Sequence, residues 1–466
     1  MAPTLEAIIG GASTQEHVLK AAKLSGGARQ SSEGAGRLAG NVSRARASLS
    51  KNPWPVLIFA AAFTIRMALI VHNQSIGPLG HTEAFNVARS IVERGTFGNP
   101  YETAETGETA HVAPLFPFVL SLLMRLLGTG GALGAVVQTM TVAAASALYA
   151  LFPALAETLF GDRRIGIWAG FAGAELPFHL WLESVGTHEG VYAGLAIAIL
   201  FLYTSRWLKR GIPEFSDCVR LGIGWGVAAL LSPTVLPVMA ALLILWLGRG
   251  DLRSAFLHAA VAGLCCGLVI LPWIIRNYFV LGSASIIRDN FGLELSVSNN
   301  DDASPLMADN YRLHTFRHPF VDPVEGREMK AMGETAYYKM RLDSAKLWIS
   351  KNPSRFWLLT LVRIREFWFT DMNSRVKSVF YGVLVVLAFV GLVILGLSGR
   401  RDALLLAVLW AVYPIPFYLI QIDPRYRVPI DWSIWLLAAL ALSSIAGYVL
   451  NHKRPTIDDG QHKPEG

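Results

Sequence analysis

From Trp54 onward the chain is a succession of long apolar runs separated by short polar stretches. An α-helix needs about 20 apolar residues to cross a bilayer core. Runs of that order lie at Trp54 to His72, Gly131 to Leu155, Ile165 to Trp181, Gly190 to Trp207, Ala255 to Ile275, Val379 to Leu397, Ala403 to Gln421 and Ile430 to Leu450. The longer stretch from Leu221 to Leu247 is interrupted at Ser232-Pro233. Because proline cannot continue a helix hydrogen-bond ladder, this stretch predicts a hairpin of two short spans. The expected fold is an all-α polytopic membrane protein with about ten transmembrane helices.

The segment Ala113 to Leu126 is apolar enough to be counted as another span, and counting it would invert everything after it. If it is left out, the clusters Arg163-Arg164, Arg206 with Lys209-Arg210, Arg249 with Arg253, Arg400-Arg401 and Lys453-Arg454 share one side with the basic N-terminal arm. The positive-inside rule therefore selects a re-entrant or interfacial segment here and places those clusters in the cytoplasm. The expected organisation has a flexible basic cytoplasmic arm over 1–53, a transmembrane domain over 54–450 and a cytoplasmic tail over 451–466. The arm lacks a contiguous apolar core, so no cleaved signal peptide is expected.

On this topology the outer face carries the loop 73–130 with interfacial helices, a short turn from Glu183 to Glu189, and a loop of about a hundred residues over 276–376. The last contains a predicted helix from Arg327 to Ser350, then NPSRFWLLTLVRIREFWF, whose aromatics and arginines recur at helical spacing as in an interface helix.

Composition narrows the class. Hydrophobic residues make up 53% and charged residues 16%, with a mean hydropathy of +0.42, too apolar for a soluble chain of this length. The net charge of +7 comes from the clusters that orient the spans, and no nucleic-acid recognition motif accompanies it. Cys218, Cys265 and Cys266 show no metal-site or disulfide spacing and are expected to pack. The glycines of GTGGALG and GIGWG do not sit at the strand-to-helix turn a nucleotide loop requires, so they read as packing or turn glycines. No repeat of solenoid period is evident.

The candidate chemistry begins at Glu83, in GHTEAFNVARSIVERGTFGNPY, followed by TGETAHVAPLFPFVLSLLMRLLG. An acid on an interfacial helix just outside a span can reach a lipid-borne group and a water-borne one together. Glu83, Ala88 to Ser90, Gly95, Phe97, Gly107, Thr109, Ala110, Pro114, Pro117 and Leu127-Gly128 resemble the first outer loop of the GT-C glycosyltransferases, in the family 39 or RgtA-like branch. LPWIIRNYFVLG, RDNFGLELSVSNN, GETAYYKM, KNPSRFWLLTLVRIREFWF and DPRYRVP continue the resemblance. It implies a GT-C fold in a bacterial plasma membrane, with the active site on the extracytoplasmic face. It also implies transfer of a sugar, with inversion, from a polyprenyl-phosphate donor to a glycan, lipid or protein acceptor.

Displacing a phosphate from an anomeric carbon needs one base for the acceptor hydroxyl and cations for the leaving group. Glu83 fits the base. Relatives often carry a pair of acids here, whereas Glu83 is preceded by His81 and Thr82. Glu189, beside His188, is the second acid that could orient the acceptor, with Glu183 its competitor. Arg66, Arg276 and Arg425 are candidates for the lipid phosphate, because the guanidinium fork binds two phosphate oxygens at once, and Arg288 is a weaker one. His81, Glu83, His188 and Glu189 are of types that bind a divalent cation, but their spacing is no metal signature. Glu175 and His179, inside the third run, read as a structural pair. A transporter or flippase of lipid-linked glycans would more often show repeated halves, and a polymerase or ligase would rely on arginines in a large outer loop.

Overall fold

The computed structural model describes residues 52–176, 188–210, 214–247, 251–370 and 374–452. The N-terminal arm up to residue 51, the tail beyond 452, His179 and Glu183 lie outside the described residues. The chain divides into two units, Met1–Val56 and Leu57–Gly466, and the description below concerns the second.

Helices dominate, as the apolar periodicity predicts. Among the described residues, seven stretches are long and apolar enough to cross a membrane: Trp54–His72 (α1), Gly131–Phe160, Gly190–Lys209, Leu252–Leu281, Arg375–Leu397, Asp402–Leu419 and Pro424–Tyr448. The segment after α1 holds Glu83–Arg94 (α2) and Leu115–Leu127 (α3). The second crossing stretch is built from Gly131–Ala150 (α4) and Phe152–Phe160 (α5), and Arg163–Glu175 (α6) follows. Next come Gly190–Arg210 (α7), Phe215–Leu231 (α8), Val235–Leu247 (α9) and Leu252–Leu281 (α10). The region between α10 and the next long apolar helix contains Phe291–Ser298 (α11), Met307–Arg312 (α12), Pro323–Met332 (α13), Glu334–Lys351 (α14) and Pro353–Trp368 (α15). Arg375–Leu397 (α16), Asp402–Val412 (α17), Ile415–Leu419 (α18) and Asp431–His452 (α19) complete the described order.

The expected hairpin is present as α8 and α9, and the break falls at Ser232. Of the expected spans beyond those seven, α8 has 17 residues and α9 has 13, or about 20 to 25 Å against a bilayer core of about 30 Å, and the expected run that begins in α6 extends beyond the described residues. Helix α3 also has 13 residues, so it too is short for a crossing.

The bundle closes through side chains too small to hold its helices apart. Helix α8 lies so near α10 that a Cβ on Gly222 would run into the Ala262 carbonyl, and this gives GIGWG its packing role. Cys218 and Cys266 are buried and free. Arg66, fully buried in α1, donates to the carbonyls of Gly173 and Ala174 at the end of α6 and lies 4.8 Å from the Tyr149 ring centre. A mid-span arginine must find partners, and here the open carbonyls of a helix end supply them. Arg427, also buried, joins Asp431 at 2.9 Å to the carbonyls of Phe367 and Trp368 and so ties α15 to α19.

Candidate active site

Glu83 is placed by the start of α2. Thr82 caps the helix by accepting the Phe85 N–H at 3.2 Å, and Gly95, at φ 72°, ends it. Such a cap is worth about 1 kcal/mol, and an acid in the first turn also meets the positive end of the helix dipole. Ala84, Phe85, Val87, Ala88 and Ile91 bury the apolar side, which turns Glu83 inward.

The chain then makes a tight ribbon. Asn99 and Gly107 exchange hydrogen bonds, and Gly107 takes φ 82°, which a side chain would strain. This ribbon delivers Thr109, Ala110 and His111. Buried Glu334, at the head of α14, accepts from the Thr109 hydroxyl and from the Ala110 N–H at 2.6 Å. Burial raises the Glu334 carboxyl well above its ordinary value, and nearby Asp289 adds to the shift. Arg288 Nε donates to the His111 carbonyl at 2.6 Å. His111 is thereby clamped from two sides, with Nδ1 at 2.9 Å from the Tyr101 hydroxyl and 2.8 Å from that of Tyr338. Its Nε2 lies 3.2 Å from Glu83 Oε1.

These elements enclose a cavity of about 390 Å³. Its polar wall carries Glu83, His188, Glu189, Arg288, Glu294, His318 and Arg425, while Leu231, Pro233, Pro237, Phe417 and Ile420 line an apolar side. Arg288 Nη1 stands 4.0 Å from Glu189 Oε1. Arg425 Nη1 is 3.4 Å from the His188 ring, and its Nε is 3.7 Å from Asp423. Its Nη2 lies 4.0 Å from the Met307 sulfur.

Two carboxyls in this cavity are pushed apart. Burial would raise Glu83, but the charge and hydrogen bond of the neighbouring His111 imidazole, together with other cationic neighbours that include Arg425, hold the carboxyl below its usual range. Burial raises Glu294. Burial also lowers His188 to about 4 and His318 to about 3, so both imidazoles are neutral near pH 7.

Four of the seven sequence candidates, Glu83, His188, Glu189 and Arg425, therefore meet in one cavity. Three do not line it. Arg66 is held at the α6 end. His81 points outward and pairs with Glu102 at 2.6 Å. Arg276 donates to the carbonyls of Thr109 and Phe97 and pairs with Glu108, its guanidinium 4.9 Å from the Trp273 ring centre. It braces the ribbon. Sequence reasoning missed His111, His318 and Glu294.

Glu83, His111 and His318 offer ligand atoms within 4.8 Å of one another; of His81, Glu83, His188 and Glu189, only Glu83 belongs to this cluster. The tautomer of His318 argues against a three-ligand cation site. Its Nδ1 accepts the Phe320 N–H at 3.0 Å, and turning the ring over would set a carbon against that N–H. A neutral ring whose Nδ1 accepts carries its proton on Nε2, so neither nitrogen keeps a lone pair for a metal.

No protein-family model matches the sequence, and no curated protein matches it. Solved structures do. The archaeal oligosaccharyltransferase AglB from Archaeoglobus fulgidus, in complex with an inhibitory peptide and a dolichol-phosphate, superposes with a TM-score of 0.53 at 17% identity, covering 87% of this chain and 51% of that one. The Archaeoglobus fulgidus oligosaccharyltransferase tethered to an acceptor peptide gives a TM-score of 0.55 at 16% identity, covering 87% and 51%. ArnT from Cupriavidus metallidurans bound to undecaprenyl phosphate gives 0.40 at 13%, covering 87% and 81%, too loose a likeness to carry weight. The chain spans about half the length of the oligosaccharyltransferases it matches. The likeness establishes that the chain shares a fold with these archaeal oligosaccharyltransferases.

Proposed function

We propose that the protein is an inverting membrane glycosyltransferase that moves a sugar from a polyprenyl-phosphate carrier to an acceptor on the extracytoplasmic face of a bacterial plasma membrane. The observation that carries this reading is the meeting of Glu83 and Arg425, from opposite ends of the chain, on one cavity with a polar and an apolar side. The donor has the same two-sided chemistry, a charged sugar phosphate on a hydrocarbon tail.

In this reading a Glu83 carboxylate oxygen takes the proton of an acceptor hydroxyl. The freed oxygen attacks the anomeric carbon opposite the phosphate, the C–O bond to phosphate breaks, and the polyprenyl phosphate leaves with the electron pair beside Arg425. The leaving phosphate is a weak base and needs a cation but no proton. Inversion follows from a single displacement. Glu189, steadied by Arg288, orients the acceptor. Purified protein incubated with a panel of radiolabelled polyprenyl-phosphate sugars and membrane acceptors tests the reading. Transfer that inverts the anomeric centre supports it, and no transfer from any donor refutes it.

A further inference from the structure

His318 is fixed in every respect a side chain can be. The ring is buried, lies parallel to Phe316 at 5.0 Å between centres, and meets Tyr101 and His111 edge-on. Its Nδ1 is committed to the Phe320 N–H. Nε2–H therefore remains as a donor of set direction, 3.9 Å from Glu294 Oε1. That separation is too long for a direct hydrogen bond. One oxygen placed about 2.8 Å from each atom would bridge them. Asn290 Nδ2 donates to the same Glu294 oxygen at 3.2 Å and holds the carboxyl in place. Both His318 and Glu294 line the cavity that contains Glu83.

A group that fills this gap must accept from an N–H and donate to a carboxyl oxygen. A hydroxyl does both. An ammonium cannot accept, and a phosphate dianion cannot donate. We infer that His318 and Glu294 form a carbohydrate-hydroxyl subsite that selects the sugar handled in this cavity, with His318 a specificity-determining donor that does not exchange its proton. The inference rests on the glycosyltransferase reading and names a substrate group for it. It also explains why Phe316 and Phe320 anchor His318: a donor that must discriminate between hydroxyl positions loses its selectivity if the ring can turn.

The test uses the full-length protein in membranes and a panel of mono-deoxy analogues of the donor and acceptor sugars. Two variants are compared: His318→Phe keeps the stacked ring and removes the donor, and His318→Gln restores an N–H near Nε2. In wild type, one deoxy analogue should lose about 10- to 100-fold in kcat/KM, the range of a buried hydrogen bond to a charged or committed partner. In His318→Phe the parent sugar should fall by a similar factor, with that analogue no worse than the parent, because the two deletions remove the same contact. His318→Gln should regain most of the activity and the preference. Non-additivity with a donor analogue places the hydroxyl on the transferred sugar, and with an acceptor analogue on the acceptor. Equal losses for every analogue in wild type and His318→Phe overturn the subsite, as does a His318→Gln variant of normal abundance without the preference. If His318→Phe fails to reach the membrane, His318→Gln alone decides. Absence of transfer by wild type refutes the parent reading and the subsite with it, an outcome distinct from a wild type that transfers without discriminating.

Discussion

Replacing Glu83 by Gln removes one charge and one proton-accepting oxygen while leaving the shape of the side chain unchanged. The folded state should tolerate this. The side chain is 28% exposed, and the interactions lost are the favourable placement at a helix N-terminus, about 0.3–1 kcal/mol, and the ionic part of the contact to His111. Loss of a general base lowers turnover by roughly 10²- to 10⁴-fold, equivalent to about 3–5 kcal/mol in the barrier. The two scales are far enough apart to be separated. The assay is initial-rate transfer at saturating donor, normalised to folded protein in the membrane, with donor KM measured alongside. Glu83→Gln should be present at near wild-type abundance, bind donor with little change and turn over at the reduced rate. Glu83→Asp should recover part of the rate, since the carboxylate survives but is drawn back by about 1.5 Å, one methylene, a misplacement that can still cost about 10²-fold. Near-normal transfer by Glu83→Gln would refute the assignment and pass the role to Glu189 on the same wall.

His111→Gln removes the imidazole that holds the Glu83 carboxyl down. Glu83 then protonates at higher pH, so the acidic limb of the kcat/KM profile should move upward, and an unmoved limb would mean that His111 does not govern the base. Arg425→Ala should raise donor KM far more than acceptor KM, whereas Arg276→Ala should lower the amount of folded protein and leave donor dependence in the survivors intact. A reversal between these two would return the phosphate role to Arg276. Because the His318 tautomer disfavours a three-ligand cation site, transfer should survive extensive chelation, and abolition reversed by an added divalent ion would overturn that argument. In a background without native cysteines, a cysteine near Arg210 should resist a membrane-impermeant thiol reagent in intact cells and one near Asn300 should react. Labelling of both would sink the orientation drawn from the basic clusters.

The spans were legible because each is a local property: a run of apolar residues has little choice but helix in a bilayer, and Ser232-Pro233 marks the α8–α9 break at the residue where it falls. Helix α2 was legible for a similar reason, since Thr82 caps it and Gly95 ends it within the same short stretch. Arg66 and Arg276 were harder. Both sit at helix positions where an arginine must find a partner, but the carbonyls and carboxylate that satisfy them belong to Gly173, Ala174, Thr109, Phe97 and Glu108, whose proximity is set by packing. Glu108 could have served as a hint, because an acid in the ribbon implies a counter-ion somewhere, but nothing in the sequence says which.

The same difference separates Glu83 from the residues that shape its chemistry. Tyr338 lies 227 positions from His111, and a single histidine in HVAP or in RHPF carries no spacing from which a partner could be deduced. What the 276–376 region adds is control of the environment: Tyr338 orients the imidazole that helps to lower the Glu83 carboxyl, and Glu334 fixes the ribbon that carries it. Phe316 and Phe320 freeze the donor at His318. The 73–130 segment can therefore be read for the acid that the proposed reaction uses, but its basicity and the groups it faces depend on contacts with the 276–376 region. A substitution at Glu334 or Tyr338 should accordingly act through the orientation of His111, and the Glu83-dependent limb of the pH profile is the measurement that would register it.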